Sequence, residues 1–230
     1  VAFADSSGVN KAIVAGYAVN SALSNLSTSW LLQYNLDTVA VDSTFGGVDR
    51  DGSGTVSGDI KELHTVTRQA SGRVVTSGLN YDDSGAILGY GSAGKLDKSF
   101  GSDGYYQSVA TTGIYSHTID SQDRVVFAYN NGSGTVILAR LLADGSGLDT
   151  SFNTVGTVTT NITGLVTSPA DQIRVAVNSS DEVYVAAVNS SGAQYEVRHY
   201  DVNGANPVSK TVVSGDLGTI TALTIARLLV

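Results

Sequence analysis

The chain has no cysteine, no methionine and only 2 prolines in 230 residues. Without cysteine it can form no disulfide, thiolate metal site or thiol nucleophile, so those classes of chemistry are excluded. Long hydrophobic runs are missing as well, because Ser, Thr, Gly or Asn interrupts each apolar stretch before the roughly 18 residues that a membrane-spanning helix needs. The sequence therefore predicts a soluble domain with no membrane insertion.

Positive charge is scarce, since 13 Lys and Arg stand against 21 Asp and Glu. The net charge of −8 and the pI near 4.6 indicate a surface that repels phosphate backbones and anionic membranes. Nucleic acid is therefore excluded as a partner. Hydrophobic residues make up 42% of the chain, which is enough to build a buried core.

The sequence repeats itself. "VDSTFGG", "LDKSFGSDG" and "LDTSFNTVG" place phenylalanines at Phe45, Phe100 and Phe152, with spacings of 55 and 52 residues. A degenerate fourth copy, "RHYDVNGANPVSK", aligns if Arg198 matches Arg140, which puts Lys210 where Phe is expected. A second motif keeps the same period: "NKAIVAGY", "SGRVVTSG", "QDRVVFAY" and "DEVYVAAV". These motifs predict a single domain over 1–230 with units at 1–58, 59–109, 110–160 and 161–215, and with 216–230 as a closing or continuing strand.

Each unit has the pattern of short β-strands. Its apolar runs are rich in Val, Ile, Leu, Tyr and Thr and end at Gly, Asn, Asp and Ser, as in "NYDDSG" and "NNGSG". The segment 59–69, "DIKELHTVTRQ", fits a helical period in part, but its β-branched content favours a strand. The predicted class is all-β.

A repeat of about 50 to 60 residues with four short strands is the size of one β-propeller blade. The sequence therefore predicts a β-propeller-like fold of about four blade units, either complete or part of a larger toroid. "LDKSFGSDG" and "LDTSFNTVG", each following a "GRVV"-like strand, resemble the delta-60 repeat of bacterial secreted and surface proteins, and the match is best over 70–160. The resemblance implies a propeller-like toroid and no catalytic residues.

The repeated aromatic residue has a structural interpretation. Because a large aromatic recurs once per unit, we predict that Phe45, Phe100 and Phe152 fill the space between blades. We expect the preceding Asp97 and Asp149 to accept hydrogen bonds from local backbone amides in a turn.

The first repeat carries an acidic insertion, "VDRDGSGTVSGD". It places oxygen-bearing side chains at alternate positions around Gly54, as calcium loops do, but Ile60 stands where an EF-hand has its bidentate Glu. The predicted metal ligands are Asp49, Asp51, Ser53, Thr55, Ser57 and Asp59. They predict a weak, structural calcium site; the alternative is a surface hairpin that binds nothing. Asp82 with Asp83, and Asp144 with Asp149, form weaker acidic loops.

Catalytic motifs are not recognisable in the sequence. His64, His117 and His199 fall on predicted strands with no partner at fixed spacing, so each is expected to be a half-exposed strand residue. Trp30 is interpreted as a core residue or as a stacking residue for sugar or protein, and alternation points one of Tyr105 and Tyr106 inward and the other outward. The alternative is a pair of carboxylates that converge from different blades, as glycoside hydrolysis requires.

These observations favour a non-enzymatic scaffold module of a bacterial exported protein, located outside the cell, on its surface or in the periplasm. The alternative is a calcium-dependent propeller that binds or cleaves glycans. The chain begins at Val1 inside a unit and ends on the apolar "TITALTIARLLV", so we expect a larger protein, or partners that cover open β edges. The expected partners are proteins, further blades or glycans.

Overall fold

The computed structural model describes residues 1–20, 26–46, 56–57, 60–107, 112–162, 173–188 and 194–213. Over these residues the regular structure consists of strands β1 to β17, with no helix. The prediction of an all-β fold is confirmed.

The strands form four sheets. The first sheet contains β1 (Ala2–Ala4), β2 (Asn10–Asn20), β3 (Leu26–Asn35), β4 (Ala40–Val41) and β5 (Val56–Ser57). The second contains β6 (Glu62–Arg68), β7 (Val74–Leu79), β8 (Gly85–Tyr90) and β9 (Tyr105–Gln107). The third contains β10 (Ser116–Ile119), β11 (Val125–Asn130), β12 (Val136–Leu141) and β13 (Thr157–Thr159). The fourth contains β14 (Ile173–Val177), β15 (Val183–Val188), β16 (Gln194–Tyr200) and β17 (Val208–Val213).

Each sheet is an antiparallel meander in which chain order equals spatial order, except that β5 pairs with β3 beside β4. Consecutive antiparallel strands need only short turns, and the sequence supplies residues that tolerate positive φ. In the hairpin that opens the second sheet this residue is Gly72 (φ 93°), and in the third and fourth sheets it is Asp123 (φ 61°) and Asp181 (φ 60°).

The hydrophobic core lies between successive sheets. Because side chains alternate along a strand, neighbouring residues point to opposite faces, and Val74 packs toward the first sheet while Val75 packs toward the third. In the same way, Val125 packs toward the second sheet and Val126 packs toward the fourth. Four meanders stacked in series through three apolar layers form a β-propeller-like fold with four blade units.

The segment that has both helical and strand character in the sequence is strand β6. A bulge between Leu63 and Thr65 shifts its pairing with β7. At the bulge the Glu62 backbone approaches Gly78 so closely that a Cβ on Gly78 would collide with it. We infer that the bulge requires glycine at this position.

The structure corrects the alignment of the fourth repeat. Val125 pairs with Leu141, and the corresponding Val183 pairs with Tyr200, so the residue matching Arg140 is His199 and not Arg198. A shift of one residue moves a side chain to the other face of a sheet. After its third strand, β16, the fourth repeat enters strand β17 (Val208–Val213). The other three repeats form the turn that carries Phe at the corresponding place.

Candidate functional site

A short turn recurs after the third strand of the first three sheets. We call these segments, residues 41–45, 96–100 and 148–152, the anchor turns. In each, the aspartate accepts hydrogen bonds from the amide and hydroxyl of the residue two positions later, as Asp97 does from Ser99 at 3.0 and 2.6 Å. Asp149 does the same with Ser151 at 3.0 and 2.6 Å. The predicted turn is confirmed for both aspartates.

The phenylalanine of each anchor turn packs against the following sheet. Phe45, Phe100 and Phe152 are 1%, 0% and 0% exposed. Each ring lies over a positive-φ glycine of the next sheet, which we call the receiving glycine: Gly94, Gly145 and Gly204, respectively. A Cβ on any of them would lie 2.5 to 2.8 Å from the ring. The prediction that these phenylalanines fill the space between blades is confirmed.

A backbone hydrogen bond accompanies each ring. The amide that follows the phenylalanine donates to the carbonyl that precedes the receiving glycine: Gly46 to Ala93 at 2.6 Å, Gly101 to Asp144 at 2.8 Å and Asn153 to Asn203 at 2.8 Å. Every junction between described sheets is therefore closed by the same pair of contacts, one apolar and one polar.

A buried arginine completes the junction between the third and fourth sheets. Arg140 is 1% exposed and lies over the Phe152 ring, 4.6 Å from its centroid. Its Nε donates to Asp149 at 2.8 Å, its Nη1 to the carbonyl of Val202 in the fourth sheet at 2.6 Å, and its Nη2 to Ser151 at 3.1 Å. All three guanidinium nitrogens therefore have partners, which is the condition for burying a charge.

The surroundings of Arg140 and Asp149 shift the pKa of each group. Burial lowers the pKa of the Arg140 guanidinium, and the nearby Arg124 adds to this effect while Asp149 opposes it. Burial by itself raises the pKa of Asp149, but hydrogen bonds from Ser151 and the charge of Arg140 outweigh it, so the pKa lies below its ordinary value. Sequence reasoning missed Arg140 as a buried residue. The available signal was that Arg140 follows Val136 and Leu138 at steps of two residues, which puts all three on the same face of an otherwise apolar strand.

Aspartates also connect the hairpins at the anchor-turn end of the sheets. Asp123 of the third sheet accepts hydrogen bonds from the amides of Ala70 and Ser71 in the second sheet, at 2.6 and 3.0 Å. The equivalent Asp181 of the fourth sheet accepts from the amide and hydroxyl of Ser121 in the third, at 2.8 and 2.6 Å. The first hairpins of the second and third sheets are thus each capped by a carboxylate of the following sheet.

His117 is buried between the second and third sheets and is 3% exposed. The prediction that it is half-exposed is wrong, because β10 packs directly against β6 and β7. Its Nε2 lies 2.7 Å from the hydroxyl of Thr67 and its Nδ1 lies 2.7 Å from the hydroxyl of Ser77. Burial, opposed in part by a backbone hydrogen bond with Val75, lowers the pKa of His117 to about 3.

The burial of His117 predicts acid sensitivity. In the unfolded chain the pKa of His117 is near 6.5, so below about pH 6.5 the unfolded state binds a proton at this side chain. The folded state does not bind that proton until the pH approaches about 3. We expect the free energy of unfolding to fall by up to about 1.4 kcal/mol per pH unit between about pH 6.5 and 5. Denaturant unfolding across this range should show this slope in the wild type and in His199→Gln, and a flatter slope in His117→Gln. An unchanged slope in His117→Gln would contradict the assignment.

Three aromatic rings from three successive sheets meet at the end of the sheets opposite the anchor turns. His64 of β6 lies between Tyr17 of β2, with ring centroids 5.1 Å apart, and Tyr115, which precedes β10, at 4.6 Å. The His64 Nε2 is 3.1 Å from the Glu62 carboxylate. Tyr17 is 39% exposed, so the cluster reaches solvent. We call these four residues the aromatic cluster.

The third histidine is separate from this cluster. His199 stacks on Tyr184 with centroids 4.5 Å apart, and its Nε2 lies 3.5 Å from Glu182 in the fourth sheet. Among the described residues, no group of three or more His, Asp or Glu side chains could hold a metal ion.

The predicted calcium ligands fall almost entirely outside the described residues. Of Ser57 only the backbone is described, and it pairs with Trp30. The remaining ligands lie outside: Asp49, Asp51, Ser53, Thr55 and Asp59. The calcium site therefore stays a prediction.

The weaker acidic loops are engaged in local contacts. Asp82 accepts hydrogen bonds from the amide and hydroxyl of Ser84 at 3.0 and 2.5 Å, and Asp83 pairs with Lys61 at 2.6 Å. Asp144 accepts a hydrogen bond from the Ser146 amide at 3.0 Å. These carboxylates stabilise turns.

The remaining aromatic candidates lie on sheet faces. The half-buried Trp30 lies across Gly16 on the neighbouring strand, where a Cβ would lie 2.5 Å from its ring, and it belongs to none of the three core layers. Tyr105 and Tyr106 point to opposite faces of the second sheet, and each packs partly buried against a different layer. The expected alternation of these two tyrosines is confirmed, but the expectation that one points outward is wrong, because a core layer covers each face of the second sheet.

Comparison with known proteins finds similarity in structure but not in sequence. No protein-family model matches the chain, and no curated protein sequence matches it. Among solved structures, the chain is similar to an engineered GH43 glycoside hydrolase with endo-xylanase and exo-arabinofuranosidase activity, at 13% identity and a TM-score of 0.41. The match covers 90% of this chain and 39% of that one. Separately, the described residues contain no helix with the length and apolarity needed to cross a membrane.

Proposed function

We propose that the chain is a non-enzymatic scaffold module of a bacterial exported protein, located at the cell surface, outside the cell or in the periplasm. The observation that supports this function most strongly is the use of the buried ion pair. Asp149, a carboxylate that in an active site could act as a general base, accepts a hydrogen bond from Arg140, and Arg140 also donates to the Val202 carbonyl across a sheet junction. Their chemistry stabilises the stack of sheets.

The resemblance to delta-60 repeats supports the same proposal. Those repeats belong to secreted and surface proteins, and this chain has the repeated Phe100 and Phe152 in the junction contacts described above. A rigid stack of sheets held by repeated anchor turns is suited to present loops and edges to other proteins.

A glycan-binding module is the second candidate, and the aromatic cluster favours it. Tyrosine rings offer flat apolar surfaces with a polar tip, and the Glu62 carboxylate beside His64 can accept hydrogen bonds from hydroxyl groups. The 39% exposure of Tyr17 leaves part of this surface accessible. In this candidate the segment from Asp49 to Asp59 binds a structural calcium ion.

A glycan array with and without EDTA separates the two functions. The scaffold function predicts no sugar binding in either condition, and binding in either condition would contradict it. The glycan function predicts binding that falls at least about tenfold in Tyr17→Ala, since a stacking aromatic contributes on the order of 1 kcal/mol or more. The matched control is Tyr81→Ala, an exposed tyrosine outside the cluster. Loss of binding in Asp49→Ala and in EDTA together would support the calcium ion.

A further inference from the structure

The two end sheets of the stack differ in the burial of their far faces, the faces turned away from the neighbouring described sheet. In the first sheet Ile13 packs toward the second sheet, so Val14 lies on the far face, where it is 40% exposed. In the fourth sheet Ala187 packs toward the third, so Ala186 and Val188 lie on the far face. They are nevertheless 2% and 0% exposed. The far face of the fourth sheet is therefore covered, and that of the first is open.

The described sheets do not provide this cover. Ala186 and Val188 belong to none of the three core layers. The residues paired with Ala186 are Arg174 and Val197, which lie beside it in the same sheet and not above it. Burial on this face therefore requires a further part of the chain.

Equivalent positions in the two preceding sheets show what covers such a face. Ala186 is the third residue after Val183, as Ser77 is after Val74 and Ala128 is after Val125 in the corresponding strands. Ser77 is covered by β10, the first strand of the next sheet, since its hydroxyl lies 2.7 Å from Nδ1 of His117. Ala128 shares a core layer with residues of β14, the first strand of the fourth sheet. The first strand of a following unit is thus the natural cover for Ala186.

The chain after the fourth sheet is long enough to supply this strand. The connections from the last strand of one sheet to the first strand of the next are residues 58–61, 108–115 and 160–172. A connection in this size range after Val213 would start a further strand between residues 218 and 227, inside the 230-residue chain. Residues 219–225 read "TITALTI", which has the β-branched content of a strand. No charged residue lies between Asp216 and Arg227, so this segment can be buried at little cost.

We propose that residues 219–225 form a strand that packs on the far face of the fourth sheet and covers Ala186 and Val188. The segment takes the place that β10 has on the second sheet and β14 has on the third, so the stack continues past its fourth sheet. This contact goes beyond the scaffold function, which does not require it. The other segments beside the fourth sheet, residues 163–172 and 189–193, are the alternatives that the test must separate.

Thiol labelling of the full chain tests the proposal, because the natural sequence has no cysteine. Ala186→Cys is expected to react with a maleimide only through local opening. Adding Ile220→Asp and Leu223→Asp puts a carboxylate on each face of the proposed strand. The labelling rate should then rise at least about tenfold, because a buried, unpaired carboxylate is costly and displaces the segment.

The matched control is Ala128→Cys, at the equivalent position of the third sheet. Ala128 is 1% exposed and is covered by the described fourth sheet. Its labelling rate should change by less than about twofold when the two aspartates are added, because it is distant from the proposed strand. A rise at both cysteines would show that the aspartates unfold the chain, and hydrogen exchange of the wild type then decides.

Hydrogen exchange needs no substitution. The amides of residues 219–225 should exchange at least about 100-fold more slowly than in an unfolded peptide, since they belong to a packed strand. Unprotected amides in this segment would overturn the proposal, as would rapid labelling of Ala186→Cys in the otherwise natural chain. A protected Ala186→Cys that does not respond to the two aspartates would also overturn it, and would assign the cover to 163–172 or 189–193.

Discussion

Replacing Phe100 by alanine is expected to lower the free energy of unfolding by about 3 to 5 kcal/mol, the usual range for a fully buried phenylalanine. The ring is 0% exposed and fills the junction between the second and third sheets, where it contacts Gly145. Alanine leaves a cavity at a place that two sheets share, so relaxation of one sheet alone cannot fill it. Equilibrium denaturation in urea measures the change.

The receiving glycine provides the complementary test. Gly145 has φ 71°, and a Cβ there would lie 2.5 Å from the Phe100 ring, so Gly145→Ala should destabilise through both collision and backbone strain. Removing the ring removes only the collision. The cost of Gly145→Ala should therefore be at least about 1 kcal/mol smaller in the Phe100→Ala background.

Gly147 is the matched control for this cycle. It lies in the same turn and has open space around the position of a Cβ, so Gly147→Ala should change the free energy of unfolding by less than about 0.5 kcal/mol. Strictly additive costs for Phe100→Ala and Gly145→Ala would contradict the contact between the ring and the receiving glycine.

Asp149→Asn is expected to cost about 3 to 5 kcal/mol, because it removes the negative charge that contacts the buried Arg140 guanidinium directly. Asparagine retains an oxygen that can accept the hydrogen bond from the Ser151 amide. The substitution therefore removes the charge and keeps the turn. In an Arg140→Met background the same substitution should cost at least about 1 kcal/mol less, since the stranded cation is gone.

An exposed ion pair serves as the control for the buried one. Lys98 and Asp103 lie 3.4 Å apart with side chains 75% and 77% exposed. Asp103→Asn should change stability by less than about 0.5 kcal/mol, because water already screens this pair. If Asp149→Asn proves equally mild, the third and fourth sheets are not held by the buried pair.

The features that the sequence predicts well are local and repeated. Strands follow from short apolar runs of high β-branched content bounded by turn residues, and the anchor turns follow from aspartate chemistry within a few residues of Phe100 and Phe152. The features it misses depend on which sheet lies alongside. Alternation shows that His117 occupies one face of β10, but the Thr67 and Ser77 hydroxyls that surround it come from residues 50 and 40 positions earlier in the chain.

The fourth repeat shows why a degenerate copy is misread. "RHYDVNG" offers Arg198 as a match for Arg140, yet the strand pairing assigns that position to His199. Because side chains alternate between the two faces of a sheet, an alignment error of one residue assigns every side chain to the wrong face. Register is determined by the partner strand β15, and this information is absent from a single motif.

The central claim is that the sheets are joined in series, turn to turn, and the absence of cysteine permits a direct test. Ser121 of the third sheet contacts Asp181 of the fourth, with Oγ and Oδ2 2.6 Å apart. Ser121→Cys with Asp181→Cys should be joined within one molecule by a short bis-maleimide crosslinker, because the ends of the two native side chains are in contact. Peptide mass mapping should recover that crosslink in the monomer. A chain in which the two cysteines are joined only between molecules, or not at all, would contradict the serial arrangement of the sheets.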